Sequence, residues 1–250
     1  MAIAKDNTGA NFNIAGGQTT QSTNSFAVAG ANRFLAAFVF SGAGSAGITP
    51  SAVKWGGSGG TAMTQRGSTL SLGSFWSLSC WTLTAPTAQT STVYADYGVA
   101  VDESSVIATS FTGVHQSVPL GTVTSKTNNF AGSVTIDLNT REDTLACTTI
   151  SGDMMVDCIG VGTTGGSNPT ISINGGQTSD QEYEGGTLSA YDAHGSSHLL
   201  ASGTTTNSIW RVVDTTQNAV WGMFALPLKQ AGAGVSAAVL SHYYNALRSS

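Results

Sequence analysis

The chain has 250 residues, of which only 9% are Asp, Glu, Lys or Arg, and 31 are glycine. Its formal net charge is −5 and its nine basic residues are scattered, which argues against a nucleic-acid-binding surface because such a surface needs clustered Lys and Arg. Helical surfaces usually owe their solubility to Lys and Glu, whereas strands linked by Gly-rich turns can present hydroxyl groups to water. The composition therefore predicts an all-β protein.

The first 23 residues are polar, Gly-rich and poor in strand-forming patterns, so we expect an N-terminal arm over residues 1–23. Contacts with a partner would be the simplest way to order such an arm. Its first seven residues lack the apolar core of a signal peptide, and no apolar run in the chain is long enough for a membrane-spanning helix. We therefore expect synthesis in the cytoplasm, with no membrane partner.

Apolar runs and period-2 patterns predict about ten to twelve strands separated by Gly, Asn or Ser clusters. The candidate strands are Asn32–Ser41, Ala52–Trp55, Ala62–Arg66, Phe75–Thr84, Ser91–Val99, Ser105–Phe111, Ser133–Leu138, Met154–Val161, Thr170–Ile173, Ser208–Val213 and Ala219–Leu228. Two of them, Asn32–Ser41 and Phe75–Thr84, are apolar on both faces and should lie deep in a sheet. The pattern predicts a two-sheet, antiparallel, jelly-roll-like β-sandwich over residues 24–229.

The segment Gly56-Gly57-Ser58-Gly59-Gly60 matches the G-x-S-x-G pattern of hydrolase nucleophiles. A nucleophile elbow needs a helix after the serine, whereas Thr61–Gln65 has the pattern of another strand, so a hairpin loop is favoured. No other pattern has the context of a catalytic triad or a phosphate-binding loop. The sequence therefore predicts no catalytic residues, no cofactor and no enzyme activity.

Asp180, Glu182 and Glu184 alternate, and in a strand these three carboxylates would share one face, as the acid and nucleophile of some glycosidases do. Glycine pairs flank this run, so a solvated loop is favoured over a catalytic pair or a calcium site. His194 and His198 have metal-ligand spacing, but Gly195 disfavours the helix that would align them. We interpret them as loop histidines and predict no metal site.

The three cysteines are Cys80, Cys147 and Cys158, an odd number that does not suggest a disulfide framework. A hairpin around Ser151–Asp153 could bring Cys147 and Cys158 together, but buried thiols are the favoured interpretation.

After the break at Ala231–Gly234, four residues share one face of a predicted C-terminal helix within residues 230–250. This candidate interaction surface consists of Val235, Val239, Tyr243 and Leu247. The helix either covers a sheet edge, which is favoured, or binds a neighbouring subunit.

Sandwich proteins bind sugars with aromatic platforms carried on loops. The candidate glycan platform consists of Trp55, Tyr183, Tyr191 and Trp210, although burial is the commoner fate of such side chains.

Several segments resemble a loosely defined group of uncharacterised β-sandwich modules found in phage virion proteins and bacterial surface proteins. They are Val53–Gly57 with Ala62–Thr64, Trp81–Pro86, Ser110–Gln116 with Pro119–Gly121, and Trp221–Leu226. The resemblance covers about residues 25–228, and it implies a sandwich and a virion or surface setting without any active site.

These observations predict a non-enzymatic phage virion protein, made in the bacterial host cytoplasm. We expect a capsid decoration or cement protein that assembles as a homo-oligomer on a partner such as a major capsid protein. The alternative is a tail-fibre or surface module that binds a carbohydrate receptor.

Overall fold

The computed structural model describes residues 1–13, 16–42, 48–164, 168–187 and 190–232. These residues form strands, turns and irregular segments. The strands of the first half are β1 (Ala4–Asn13), β2 (Gln18–Ser22), β3 (Phe26–Val28), β4 (Phe34–Gly42), β5 (Ala52–Trp55), β6 (Thr61–Ala62), β7 (Thr64–Gln65), β8 (Leu70–Leu72), β9 (Trp76–Thr84), β10 (Gln89–Ser91), β11 (Val93–Val101) and β12 (Glu103–Thr112). Those of the second half are β13 (Thr124–Asn129), β14 (Val134–Thr135), β15 (Thr140–Thr148), β16 (Met154–Thr163), β17 (Thr170–Asn174), β18 (Thr178–Thr187), β19 (Ala190–Leu200), β20 (Thr205–Val213) and β21 (Val220–Leu228).

Each half of the chain is a β-sandwich with an inner and an outer layer. In the first sandwich the inner sheet has the order β1-β12-β4-β9-β7, with β8 also on β9, and the outer layer contains β2-β11-β5-β6 and the ribbon β10-β3. In the second sandwich the inner sheet is β13-β21-β16-β19-β18 and the outer sheet is β14-β15-β20-β17. All of these pairings are antiparallel.

Three hydrophobic cores separate the four layers, because residues of the central strands alternate between two buried faces. Odd-numbered positions of β4 such as Leu35 and Val39 pack with Trp55 and Val93 inside the first sandwich. A second core around Trp210 fills the second sandwich. The third core joins the two inner sheets and contains Ile3, Phe34, Ala36, Phe38, Phe40, Leu72, Trp76, Leu78, Cys80, Phe111, Val114, Met154, Val156, Cys158, Phe224, Leu226 and Leu228.

The two sandwiches share one topology. In the first, β1 pairs with β12, β2 with β11, β3 with β10 and β4 with β9. In the second, β13 pairs with β21, β15 with β20 and β16 with β19. A Gly-Gly turn with positive φ follows both β5 and β17, at Gly56-Gly57 and at Gly175-Gly176. The chain is therefore a tandem repeat of one strand arrangement.

The interface between the inner sheets has an approximate twofold relationship. Strand β4 contacts β19 while its counterpart β16 contacts β9, and β12 contacts β18 and β19 while its counterpart β21 contacts β8 and β9. Each contact made by a strand of the first sandwich is thus also made by the corresponding strand of the second sandwich, as in the isologous interface of a symmetric dimer. The two halves pack as a dimer would, within a single chain.

The all-β, antiparallel sandwich prediction is confirmed, and β4, every residue of which is buried, lies at the centre of its sheet as predicted. The number of sheets differs from the prediction, because the strands form two stacked sandwiches rather than one. A single sandwich was expected because apolar runs alone do not show that a sheet is covered by a second sandwich.

Residues 1–23, predicted to be an arm, contribute β1 and β2 to the sheets of the first sandwich. Strand β1 was missed because an edge strand needs few apolar residues. At Gly9 an added Cβ would lie 2.2 Å from Phe26 Cδ1, so glycine at this position allows the ring to pack closely on the strand. The predicted C-terminal helix, with Val235, Val239, Tyr243 and Leu247, lies outside the described residues.

Candidate functional site

Polar side chains fill one half of the interface between the two inner sheets. On β19, the alternating residues Asp192, His194, Ser196 and His198 point toward the first sandwich, and the first three are buried. We call this region the polar seam: Lys5, Glu103 and Ser105 of the first sandwich with Asp180, Asp192, His194, Ser196 and His198 of the second. A buried polar strand face of this kind is uncommon, because each group needs a partner to offset its lost hydration.

The equivalent half of the interface is apolar. Gly42 of β4 pairs with Trp76 and with Glu103, and its counterpart Gly162 of β16 pairs with Asp192 and with Val220. Trp76 therefore corresponds to Asp192, and Val220 corresponds to Glu103. One end of the approximate twofold carries an apolar pair, and the other end carries two carboxylic acids.

Glu103 and Asp192 meet across the interface and interact through a hydrogen bond between their side chains. Both are buried. Burial, and then the neighbouring Glu103 carboxylate, raise the pKa of Asp192 well above its usual range. Tyr183 lies beside this acid pair, and burial together with the charges of Asp192 and Glu103 raises its pKa to about 12. The pair therefore behaves as a shared acid that retains a proton.

His194 occupies the middle of the polar seam. Its Nδ1 is hydrogen-bonded to Ser105 Oγ of the first sandwich, and its ring stacks on Phe40 with the centroids 5.7 Å apart. Burial lowers the pKa of His194 to about 3, so the imidazole is neutral at ordinary pH. A serine next to a neutral histidine has the composition of a nucleophile and base. Here both groups are enclosed by the inner sheets, so no substrate can reach them in this conformation.

The other end of the polar seam holds an ion-paired carboxylate. Asp180 Oδ1 accepts hydrogen bonds from Lys5 Nζ at 2.7 Å and from His198 Nδ1 at 2.8 Å, and the Asp180 side chain is fully buried. The ring of Phe111 packs edge-on against His198. These contacts tie β1 of the first sandwich to β18 and β19 of the second.

The acidic run at residues 180–184 lies in a strand, and the favoured loop interpretation is wrong. A register shift between Ser179 and Gln181 places an extra residue in β18. Asp180 consequently contacts the polar seam, whereas Glu184 Oε1 accepts a hydrogen bond from the Ile171 backbone of the outer sheet. The three carboxylates therefore do not share one face, which removes the glycosidase-like arrangement.

His194 and His198 were also interpreted as loop residues, and both lie in β19. Their strand was missed because its sequence contains Gly, Ser and His rather than β-branched or aromatic residues. Across the described part of the chain, no group of three or more His, Cys, Asp or Glu side chains is arranged to hold a metal ion. The three cysteines are buried and free, as the sequence predicted.

Two of the four predicted glycan-platform residues are in the cores. Trp55 and Trp210 are 1% and 0% exposed, and their indole N–H groups donate to the Thr87 carbonyl and to Asp157. Buried rings cannot offer a face to a sugar, so these two assignments are corrected. Tyr183 is half-buried and stacks on Phe12 with the centroids 4.0 Å apart. Tyr191 is half-buried on β19.

Two shallow grooves lie on the surface of the described structure. One, of about 360 Å³, is lined by Ser71, Leu72, Gly73, Thr127, Asn128, Asn129, Val220 and Trp221. The other, of about 320 Å³, is lined by Gly175, Leu199, Leu200, Ser202, Thr205, Thr206, Asn207 and Ile209. Neither groove contains an acidic, basic, histidine or cysteine side chain, so neither offers an acid, a base or a charged nucleophile.

The motif Gly56–Gly60 forms the turn between β5 and β6, as predicted, since Trp55 pairs with Thr61 across it. No helix among the described residues is long and apolar enough to cross a membrane. No protein-family model matches the chain, and a search of curated proteins finds no relative.

Proposed function

We propose that this protein is a non-enzymatic structural component of a phage virion, a capsid decoration or cement protein that assembles as a homo-oligomer on the particle. The observation that carries the non-enzymatic part is the placement of the reactive groups. The acids and histidines of the polar seam are enclosed between two sheets, while the two surface grooves described above present hydroxyl, amide and aliphatic groups.

The nested strand pairing, β1 with β12 and β2 with β11 in the first sandwich and β13 with β21 and β15 with β20 in the second, supports a jelly-roll arrangement, which is common in capsid proteins. The resemblance of residues 25–228 to phage virion and surface modules points in the same direction. Together these features support the virion setting.

An apolar hairpin supports assembly into an oligomer. Val134, Ile136 and Leu138 follow one another at alternate positions, and their exposed fractions are 64%, 47% and 72%. Val134 begins β14, the edge strand of the outer sheet of the second sandwich, and Ile136 and Leu138 follow it in the loop to β15. Exposed apolar side chains clustered at a sheet edge are typical of surfaces that a partner covers. Val235, Val239, Tyr243 and Leu247 remain a second proposed contact.

The combined variant Val134→Asp, Ile136→Asp, Leu138→Asp is expected to remain folded and to become monomeric, because three buried carboxylates would oppose the contact. Light scattering measures the molecular mass of the wild type and of the variant, with both proteins at the same concentration. Val99→Asp is the matched control, since Val99 is also exposed, at 52%, but lies on β11 in the other sandwich. A monomeric wild type, or a variant with the wild-type mass, would contradict the oligomer; electron microscopy of co-purifying particles tests capsid binding.

The alternative function is a tail-fibre or surface module that binds a carbohydrate receptor. The groove between Ser71 and Asn128 has the size of a small ligand site and combines hydroxyl and amide groups with the apolar surfaces of Leu72 and Val220. A glycan-array screen distinguishes the two functions. Binding that is abolished by Asn129→Trp, which would fill the groove, favours receptor recognition over decoration.

A further inference from the structure

The groove between β8 and β13 borders the interface between the two inner sheets, and we call it the interface groove. Strand β8 contacts both β13 and β21. Leu72, which lines the interface groove, belongs to the hydrophobic core that joins the inner sheets, and Val220 packs against that core. The interface groove is therefore continuous with the established interface between the two sandwiches.

The approximate twofold relationship gives the interface groove a counterpart between β1 and β18. These strands correspond to β13 and β8, because they pair with β12 and β19 as β13 and β8 pair with β21 and β9. Phe12 of β1 pairs with Ser105, and Thr127 of β13 pairs with Gly222. The two partners are equivalent, since each is the third residue of its strand and β12 and β21 are counterparts. Thr127 therefore stands where the first sandwich has the aromatic ring of Phe12.

The ring of Phe12 completes its own border of the interface. It stacks on Tyr183 of β18, with the ring centroids 4.0 Å apart and an angle of 11° between the ring planes. Both side chains are half-buried. An added Cβ at Gly185 would lie 2.2 Å from Tyr183 Oη, so the tyrosine ring reaches over this glycine. The stacked pair therefore covers the border between β1 and β18.

The border between β13 and β8 holds the interface groove in the place of such a pair. Thr127 is short and exposed, and the counterpart of Tyr183 is Leu70, since the two pair with equivalent residues of β19 and β9. Leu70 and Leu72 pack on the backbone of Gly222, where an added Cβ would lie 3.0 Å from Leu70 Cδ1 and 2.7 Å from Leu72 Cδ2. The volume beside them is about 360 Å³, whereas a cavity of about 150 Å³ is enough to hold a benzene ring.

The lining of the interface groove suits a flat, uncharged group. Leu72 and Val220 offer apolar surface, and a charged ligand would lose hydration without gaining an ionic partner among the lining residues. The hydroxyl of Ser71 and the amide of Asn129 are on exposed residues, where they can bond the polar groups of a bound polypeptide. Aromatic side chains are common anchors of protein interfaces, because one ring buries a large apolar area.

We propose that the interface groove binds an aromatic side chain, Phe or Tyr, of a partner polypeptide. The bound ring takes the place that Phe12 has at the opposite border of the interface, and it packs on Leu72 and Val220. This assignment does not depend on the proposed virion setting. It gives the groove to a polypeptide rather than to a carbohydrate, which is the ligand required by the alternative function.

Titration of the ¹⁵N-labelled protein with N-acetyl-phenylalanine amide, followed by NMR, tests the proposal. Saturable shifts are expected for the backbone amides of Gly73, Thr127 and Val220, with a Kd of about 1 mM for a ligand of this size. The amides of Thr205 and Asn207, in the second groove, should not shift. N-acetyl-leucine amide should bind about fivefold more weakly, because it lacks the ring.

Three outcomes of this titration would overturn the proposal. They are the absence of saturable shifts at the interface groove, equal affinity for the leucine compound, and shifts of the same amides with methyl glucoside. The last outcome would favour the carbohydrate alternative, whereas the first two leave the proposed decoration function unaffected.

Thr127→Phe supplies the ring from the protein itself, as Phe12 does at the opposite border. This variant should bind N-acetyl-phenylalanine amide at least about tenfold more weakly than the wild type. The matched control is Thr90→Phe, which adds the same ring at an exposed position of β10 and should retain the wild-type affinity. Wild-type affinity in Thr127→Phe would contradict the assignment; should that variant fail to fold, the same comparison on Asn129→Trp decides.

Discussion

Gly162→Ala is expected to lower the free energy of unfolding by about 2 to 3 kcal/mol, because the new methyl group would collide with the indole of Trp76. A Cβ at Gly162 would lie 2.2 Å from Trp76 Cδ2 and 2.4 Å from Cε3. Trp76 is buried between the inner sheets, so its ring has no free space into which it can move. Urea denaturation of wild type and variant measures the loss.

The matched control is Gly59→Ala, since a Cβ at Gly59 meets no atom within 4 Å. Its effect should be within about 0.5 kcal/mol. Adding Trp76→Leu to Gly162→Ala should cost less than the sum of the two single changes, because the smaller side chain removes the collision. If the two sandwiches did not stack face to face, Gly162 would border solvent, and the alanine would have no such cost.

The strands that the sequence predicts well are those covered on both sides. Residues of β4 and β9 are apolar at both parities, because each strand faces a core inside its sandwich and another between the sandwiches. Edge strands such as β1 and β13 are rich in Asn, Thr and Lys, which local patterns do not distinguish from loops. Their pairing is decided by partners that are distant in sequence.

The polar seam could not be predicted from local sequence for a related reason. Polar residues usually indicate solvent, and those of β19 are buried only because the first sandwich covers them. One signal of the tandem repeat was available, namely the glycine pairs Gly56-Gly57 and Gly175-Gly176, each at the end of a β-strand. Aligning the halves on these turns would have matched the apolar strand β9 with the polar strand β19.

Asp157→Asn is expected to remove much of the pH dependence of stability on the acidic side of neutrality. Asp157 is fully buried in the second sandwich, at the position that corresponds to Ala37 of the first. It accepts hydrogen bonds from Ser197 Oγ at 2.5 Å, Gln177 Nε2 at 2.8 Å and Trp210 Nε1 at 3.3 Å. Burial raises its pKa to about 7, although the hydrogen bonds from Ser197 and Trp210 oppose the shift.

The sign of the effect follows from the proton that Asp157 keeps in the folded state. Below its usual pKa of 3.8 both the folded and the unfolded chains are protonated, and the full stability is present. Between that value and about 7 only the folded chain holds the proton, so stability falls by at most about 1.4 kcal/mol for each pH unit crossed. Above about 7 the folded chain also releases the proton, and this contribution levels off.

An asparagine at position 157 keeps an acceptor oxygen in place of Oδ1 for the donors of Ser197 and Trp210, loses the Oδ2 acceptor of Gln177, and has no proton to lose in this range. Urea denaturation at a series of pH values should therefore give a shallower slope for Asp157→Asn than for wild type, while Asp102→Asn retains the wild-type slope. The acid pair of Glu103 and Asp192 contributes in the same direction, so Glu103→Gln in the Asp157→Asn background should flatten the profile further. An unchanged slope in Asp157→Asn would mean that Asp157 is already ionised in the folded chain, with the three donors outweighing the cost of its burial.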